Sequence, residues 1–209
     1  MSRHHDVFDA EGRPQSRVFP EENVTLALAL TTLLALILRL FHLGRQSLWV
    51  DELITIRQGR MPGTTLFEQF LHDTQNPLPM VLVTLLGEVS PHEAWLRLPA
   101  ALLGALTIPI FFEVARRITT TRAALVGAML LAIHPMHIDH SQEVRGYAYL
   151  VFFGLAATWI VLDGLPRLAW SRLPWLVLTG VAAGLSNLQG LFWMAGLALA
   201  IAVGGRAPV

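Results

Sequence analysis

Residues 1–22 are polar and mixed in charge, and from Val24 the chain turns apolar without a break to Leu38, continuing through Arg39-Leu40-Phe41-His42-Leu43. Twenty helical residues extend about 30 Å, enough to cross a hydrocarbon core. The run is long for a signal-peptide core and no small-x-small site follows it, so it reads as a retained anchor. Residues 44–76 are too polar to span. Within them Leu66, Phe67, Phe70 and Leu71 share one helical face while Glu68, Gln69 and His72 point away, which predicts an amphipathic helix on the membrane surface or against a bundle. Leu78–Val89 is apolar but has only 12 residues and already contains Glu88. It is too short to cross and reads as re-entrant or interfacial. Further spans are predicted over Pro99–Ala115, Ala123–Ile138, Tyr147–Leu165, Leu173–Leu185 and Leu188–Val203.

Arginine placement fixes the topology. With the N-terminus inside, the inner loops hold Arg116, Arg117 and Arg122, then Arg167 and Arg172, then Arg206, as inner loops should. Counting Leu78–Val89 as a full span would put all of them outside. The predicted fold is therefore all-α, a polytopic transmembrane helix bundle with a long first outer loop carrying amphipathic juxtamembrane helices. Its parts are a cytoplasmic tail over 1–22, a membrane domain over 23–205 with outer loops at 44–98 and 139–146, and a cytoplasmic end at 206–209. Glu113 with Arg116 or Arg117, and Asp163 with Arg167, have the spacing of ordinary pairs at helix ends.

Composition agrees. Only 14% of residues are charged and 54% are hydrophobic, against about 25% charged in soluble domains. The 15 basic residues, all arginine, balance 15 acids, so there is no basic footprint for a nucleic acid. Cysteine is absent, which leaves no disulfide or thiolate chemistry.

Two polar clusters fall on the outer side. One is Ser47-Leu48-Trp49-Val50-Asp51-Glu52; the other is His137-Ile138-Asp139-His140-Ser141-Gln142-Glu143-Val144-Arg145-Gly146-Tyr147. Charges at a membrane face are costly unless paired, wet or functional. A carboxylate base with an Arg anion anchor would suit attack on a phosphate-linked substrate. Paired interfacial charges beside a Trp anchor account for the same residues equally well.

Arg39-Leu40 … Leu48-Trp49-Val50-Asp51-Glu52 resembles a segment of the GT-C superfamily of membrane glycosyltransferases, and in particular of bacterial relatives of the protein O-mannosyltransferases and of the lipid A aminoarabinose transferase. Three more likenesses follow in the family's order. They are Asn76-Pro77-Leu78-Pro79, then Glu93-Ala94-Trp95-Leu96-Arg97-Leu98-Pro99-Ala100-Ala101-Leu102-Leu103-Gly104, then His134-Pro135-Met136-His137-Ile138 with Ser141-Gln142-Glu143-Val144-Arg145-Gly146-Tyr147. Together they cover about residues 37–150. His134 stands where the family has a small residue, and Gly146 where a larger one is common. Family members carry about twice as many spans, so the chain is expected to represent the N-terminal part of such an enzyme.

The resemblance implies inverting transfer of a sugar from a polyprenyl-phosphate donor to a hydroxyl of a glycan, lipid or protein. The location it implies is the periplasmic or external face of a bacterial inner membrane. By that analogy Asp51 is the general base. A carboxylate is a weak base, so positioning must supply most of the effect. Glu52 would orient the acceptor or support Asp51. Arg145 would neutralise the lipid phosphate, with Arg97 as a second candidate and Glu143 and Tyr147 completing the substrate-binding set. Asp51 and Arg145 should face one outer cavity across a gap wide enough for a sugar, without a direct salt bridge. A divalent cation on His134, His137, Asp139 and His140 is the alternative to polar capping of a helix end, and capping is preferred. The competing reading of the whole chain is a non-catalytic polytopic protein, a transporter fragment or a partner subunit. A transporter should show polar or broken helices at the bilayer midplane in repeated halves, whereas here the charges gather at one interface.

Overall fold

The computed structural model describes residues 21–58, 77–164 and 169–204, and these are helical with no strand among them. The helices are α1 (Glu21–Leu40), α2 (Val50–Gln58), α3 (Pro77–Val89), α4 (Glu93–Ala115), α5 (Thr121–Ala132), α6 (Pro135–Ser141), α7 (Tyr147–Gly164), α8 (Leu173–Ser186) and α9 (Gln189–Gly204), with a short 3₁₀ turn at Trp170–Arg172. The amphipathic stretch 65–72, the polar tail up to residue 20, Arg167 and Arg206 lie outside the described residues.

Among the described residues, three helices are long and apolar enough to cross a membrane, Glu22–Leu40, Glu93–Ala115 and Tyr147–Gly164. A bent pair, Thr121–Ala132 with Pro135–Ser141, makes a fourth candidate, and Pro77–Val89 and Gln189–Val203 are shorter apolar helices. The protein is a multi-pass membrane protein. In α1, Leu26, Leu30, Leu33 and Ile37 are exposed while Thr31, Ala35 and Arg39 face inward. An outward leucine surface is what a lipid-facing helix presents. Thr31 and Thr32 satisfy their hydroxyls on the carbonyls of Ala27 (2.7 Å) and Leu28 (2.9 Å), so they enter hydrocarbon without an open donor.

The centre of the bundle is α4, which touches α1, α3, α5, α6 and α7. Its buried face is largely small, with Ala100, Ala101, Gly104, Ala105 and Thr107, and small residues let helix backbones approach without a hydrophobic driving force. Gly104 is the tightest point: a Cβ there would fall onto the Ser141 side chain of α6 and 3.1 Å from Arg39 Nε. The apolar run suggested a start at Pro99, but α4 begins at Glu93, where His92 Nδ1 accepts from the Ala94 amide at 3.2 Å. Arg97 is thereby inside the helix. On α5 the small residues Ala124, Ala128 and Ala132, one turn apart, pack against Ala35, Ile108 and Phe112.

The run over Ala123–Ile138 is not one straight span. It bends by 58° between α5 and α6. His134 is extended (φ −67°, ψ 120°), and Pro135 opens α6. Proline excludes helical backbone from the residue before it, so the break falls at His134 although Met136 and Ile138 keep the sequence apolar.

Charges sort to two ends. Asp163 pairs with both Arg117 and Arg172, and Glu113 with Arg116 at 2.7 Å. The Glu113 pair is the expected one; Asp163 takes Arg117 from the turn after α4 and Arg172 from the turn before α8. At the other end Arg97, near the start of α4, bonds carbonyls just beyond the end of α1. The chain between α1 and α4 therefore leaves and returns at the same face. The 13-residue α3, about 20 Å long, packs within it against α2, α4 and α8. At the C-terminal end Trp193 packs on Gly154 and donates to Thr158 Oγ1 at 3.0 Å, while Phe192 is exposed.

Candidate active site

The site end is assembled around one buried ion pair. Arg97 Nε donates to Glu52 Oε1 at 2.9 Å and Nη2 to Glu52 Oε2 at 2.6 Å, a two-point contact with exposures of 2% and 1%. Arg97 also donates to the carbonyls of Leu43 (3.1 Å), Gln46 (2.8 Å) and Ser47 (3.3 Å), so its guanidinium holds the chain that enters α2. Glu52 accepts in addition from the Trp49 amide at 3.0 Å and the Val144 amide at 2.8 Å. The Trp49 bond is half of a capping box, with Glu52 reaching back over the first turn of α2. Burial alone would raise the Glu52 carboxyl, but the bonds from Arg97, Trp49 and Val144 outweigh it and hold the group below its ordinary value. Glu52 therefore ties three segments together, α2, the start of α4 and the loop after α6.

Asp51 lies one residue earlier and so projects about 100° around α2. Its side chain is 67% exposed. Arg145 Nη2 approaches Asp51 Oδ2 to 3.7 Å, and the Arg145 side chain is 16% exposed. This is closer than the sugar-wide gap expected from sequence. The reason is local: the Val144 amide bond to Glu52 brings the backbone beside Arg145 onto α2. A long contact to an exposed carboxylate is worth at most about 1 kcal/mol, so a ligand can separate the two groups.

Beside Arg145, His140 Nδ1 is 3.4 Å from Glu143 Oε2, and the His140 ring lies against Tyr147 with centroids 4.5 Å apart. Thus Asp51, Glu52, Arg97 and Arg145 form one connected set, and Glu143 and Tyr147 meet through His140 rather than through Arg145. Among the described residues no group of three or more His, Asp or Glu is arranged to hold a metal ion. His137 Nδ1 instead takes a bond from Arg39 at 2.7 Å. His134 makes no side-chain cap, contrary to the capping role preferred for it.

Sequence reasoning passed over two connecting residues. Gln142 Nε2 donates to the carbonyls of Leu38 (3.3 Å), Arg39 (3.0 Å) and Phe41 (3.0 Å), closing the end of α1, where His42 turns the chain at φ 58°. Arg39 is fully buried and donates to Ala35 O and Ala132 O besides His137. The signal was present: an arginine in the last turn of an apolar span is costly without partners, and partners can be sought.

A multi-pass helical membrane protein with a carboxylate and an arginine facing each other at one end defines the class. Residues 75–207 match the dolichyl-phosphate-mannose-protein mannosyltransferase family, and the chain belongs to that family and so to the GT-C membrane glycosyltransferases. No curated protein matches the chain. The matched region includes Arg97 and Arg145 but begins after Asp51 and Glu52. The Glu52 contacts join the unmatched segment to the matched one.

Proposed function

We propose that the protein transfers a sugar from a polyprenyl-phosphate donor to an acceptor hydroxyl of a glycan, lipid or protein, with Asp51 as general base and Arg145 as the phosphate anchor. The observation that carries this reading is the contrast between neighbours. Glu52 and Arg97 are consumed by each other, whereas Asp51 is open and held beside Arg145 by only a weak contact. In the step, the acceptor hydroxyl gives its proton to Asp51 while its oxygen attacks the anomeric carbon. The bond from that carbon to the lipid-phosphate oxygen breaks, and the phosphate leaves with the electron pair. Arg145 neutralises the added charge, which lets the leaving group depart without an acid catalyst. Attack opposite the leaving group inverts the anomeric centre. Glu52 and Arg97 set the position of α2, and Glu143 and Tyr147 border the site.

The test of the anchor is Arg145→Ala. Loss of a charge-assisted bond should weaken binding of polyprenyl phosphate by about tenfold to a hundredfold, read in nanodiscs with the protein expressed from its own gene. Unchanged affinity would place the anchor elsewhere.

We also propose that this end faces the periplasm or exterior of a bacterial inner membrane, since the opposite end carries Arg116, Arg117 and Arg172. The chain has no native cysteine. Single cysteines at Gln58 and Trp95 should both react with an impermeant reagent added outside, and one at Ile118 only after the membrane is opened. Labelling of 95 and 118 from the same side would refute the topology.

A further inference from the structure

The end of α1 and the break between α5 and α6 hold each other, through residues that the proposed chemistry does not use. The bend at His134 takes α5 out of register with α6, and the carbonyl of Ala132, the last residue of α5, accepts from Arg39 Nη1 of α1 at 3.1 Å. In the reverse direction Gln142, directly after α6, donates to three carbonyls at the end of α1. The exchange runs both ways across the break: Arg39 of α1 closes the end of α5, and Gln142 after α6 closes the end of α1. Gly104 makes room for it, because a Cβ there would strike Ser141 and crowd Arg39 Nε at 3.1 Å.

The arrangement is expensive. Arg39 is fully buried, has no carboxylate partner among the described residues, and its Nε and the His137 Nε2 make no hydrogen bond. The compensation available to its charge is the negative ends of two helices, α1 and α5. A buried cation kept at such cost in an apolar bundle marks a position that matters. What depends on it is close in the chain. Two residues beyond Gln142 the Val144 amide meets Glu52, and the next residue is Arg145.

We propose that Arg39 and Gln142 are positioning residues of the transfer reaction, a reciprocal latch that holds the 142–147 loop so that Arg145 stands at Asp51. This rests on the reading that Asp51 and Arg145 flank the reacting centre. Neither latch residue touches substrate; both act through the loop.

The test uses two exposed positions, with nitroxides on Val50→Cys of α2 and Asp139→Cys of α6 and the distance distribution measured in nanodiscs. The parent should give one narrow distribution. Gln142→Leu keeps volume but removes the donors, and should broaden and lengthen the distribution while helix content is retained. Gln142→Lys restores donors to the α1 carbonyls and should return it to narrow, which a space-filling role would not do. Without labels, Gln142→Leu should lower kcat/KM about tenfold or more, mainly through KM for the donor, and Gln142→Lys should recover it. Should Gln142→Leu fail to fold, Gln142→Glu replaces it, with the same broad distribution expected. A narrow distribution in the leucine or glutamate variant overturns the latch, and a broadened one with unchanged kcat/KM overturns its positioning role. The distance needs no substrate, so a moved distance alongside normal turnover in Asp51→Asn would discard the catalytic reading and not the latch.

Discussion

Glu52→Gln is expected to destabilise the site end by about 3–5 kcal/mol, the cost of leaving one member of a buried ion pair without its partner. Arg97 would keep its charge at 2% exposure and lose the anionic acceptor that meets it twice. Arg97→Met should cost as much for the opposite reason, stranding a carboxylate. The double variant should cost less than the sum of the two, because no buried charge remains. Hydrogen exchange reads this locally: the Trp49 and Val144 amides, which donate to Glu52, should lose protection first. Protection unchanged in Glu52→Gln would show that other contacts dock α2. The pH dependence has a definite sign. The folded-state carboxyl lies below its ordinary value of 4.5, so its stabilisation is complete above that pH and is lost as pH falls through the lower folded-state value.

How far the chain discloses this arrangement depends on the kind of signal. The long apolar helices follow from runs of apolar residues, and α3 from a run too short to cross. The two polar clusters were visible because charges are rare in so apolar a chain. Which acid is buried was not visible. Asp51 and Glu52 are adjacent and chemically alike, and a turn of about 100° around α2 sends one to Arg97 and the other to solvent. That choice depends on Arg97, 45 positions on, whose place in α4 was hidden by Pro99. The α5–α6 break was obscured because Met136 and Ile138 carry the hydrophobic pattern past Pro135. The closeness of Asp51 to Arg145 follows from the Val144 amide bond to Glu52, a backbone contact with no signature in side-chain pattern. The family match favours an enzyme over a non-catalytic subunit, and it rests on residues 75–207, the part of the chain that carries the arginines and not the aspartate.

Asp51→Asn is expected to lower transfer by about 10²–10⁴, the usual contribution of a positioned general base. The substitution keeps size and hydrogen-bonding capacity and removes basicity. Folding should be nearly unaffected, because the Asp51 side chain is 67% exposed and meets Arg145 only at 3.7 Å. Donor binding should also survive, since Arg145 remains and loses a competing carboxylate. This separates Asp51 from Glu52, whose loss should act through folding, and from Arg145, whose loss should act through donor affinity.

The decisive measurement is therefore turnover of a polyprenyl-phosphate sugar alongside its binding, in nanodiscs, for Asp51→Asn and the unaltered protein expressed from its own gene. The account predicts normal donor binding with transfer reduced at least a hundredfold. Near-normal transfer by Asp51→Asn would contradict it, making Asp51 an interfacial anchor and sending the search for the base to Glu143.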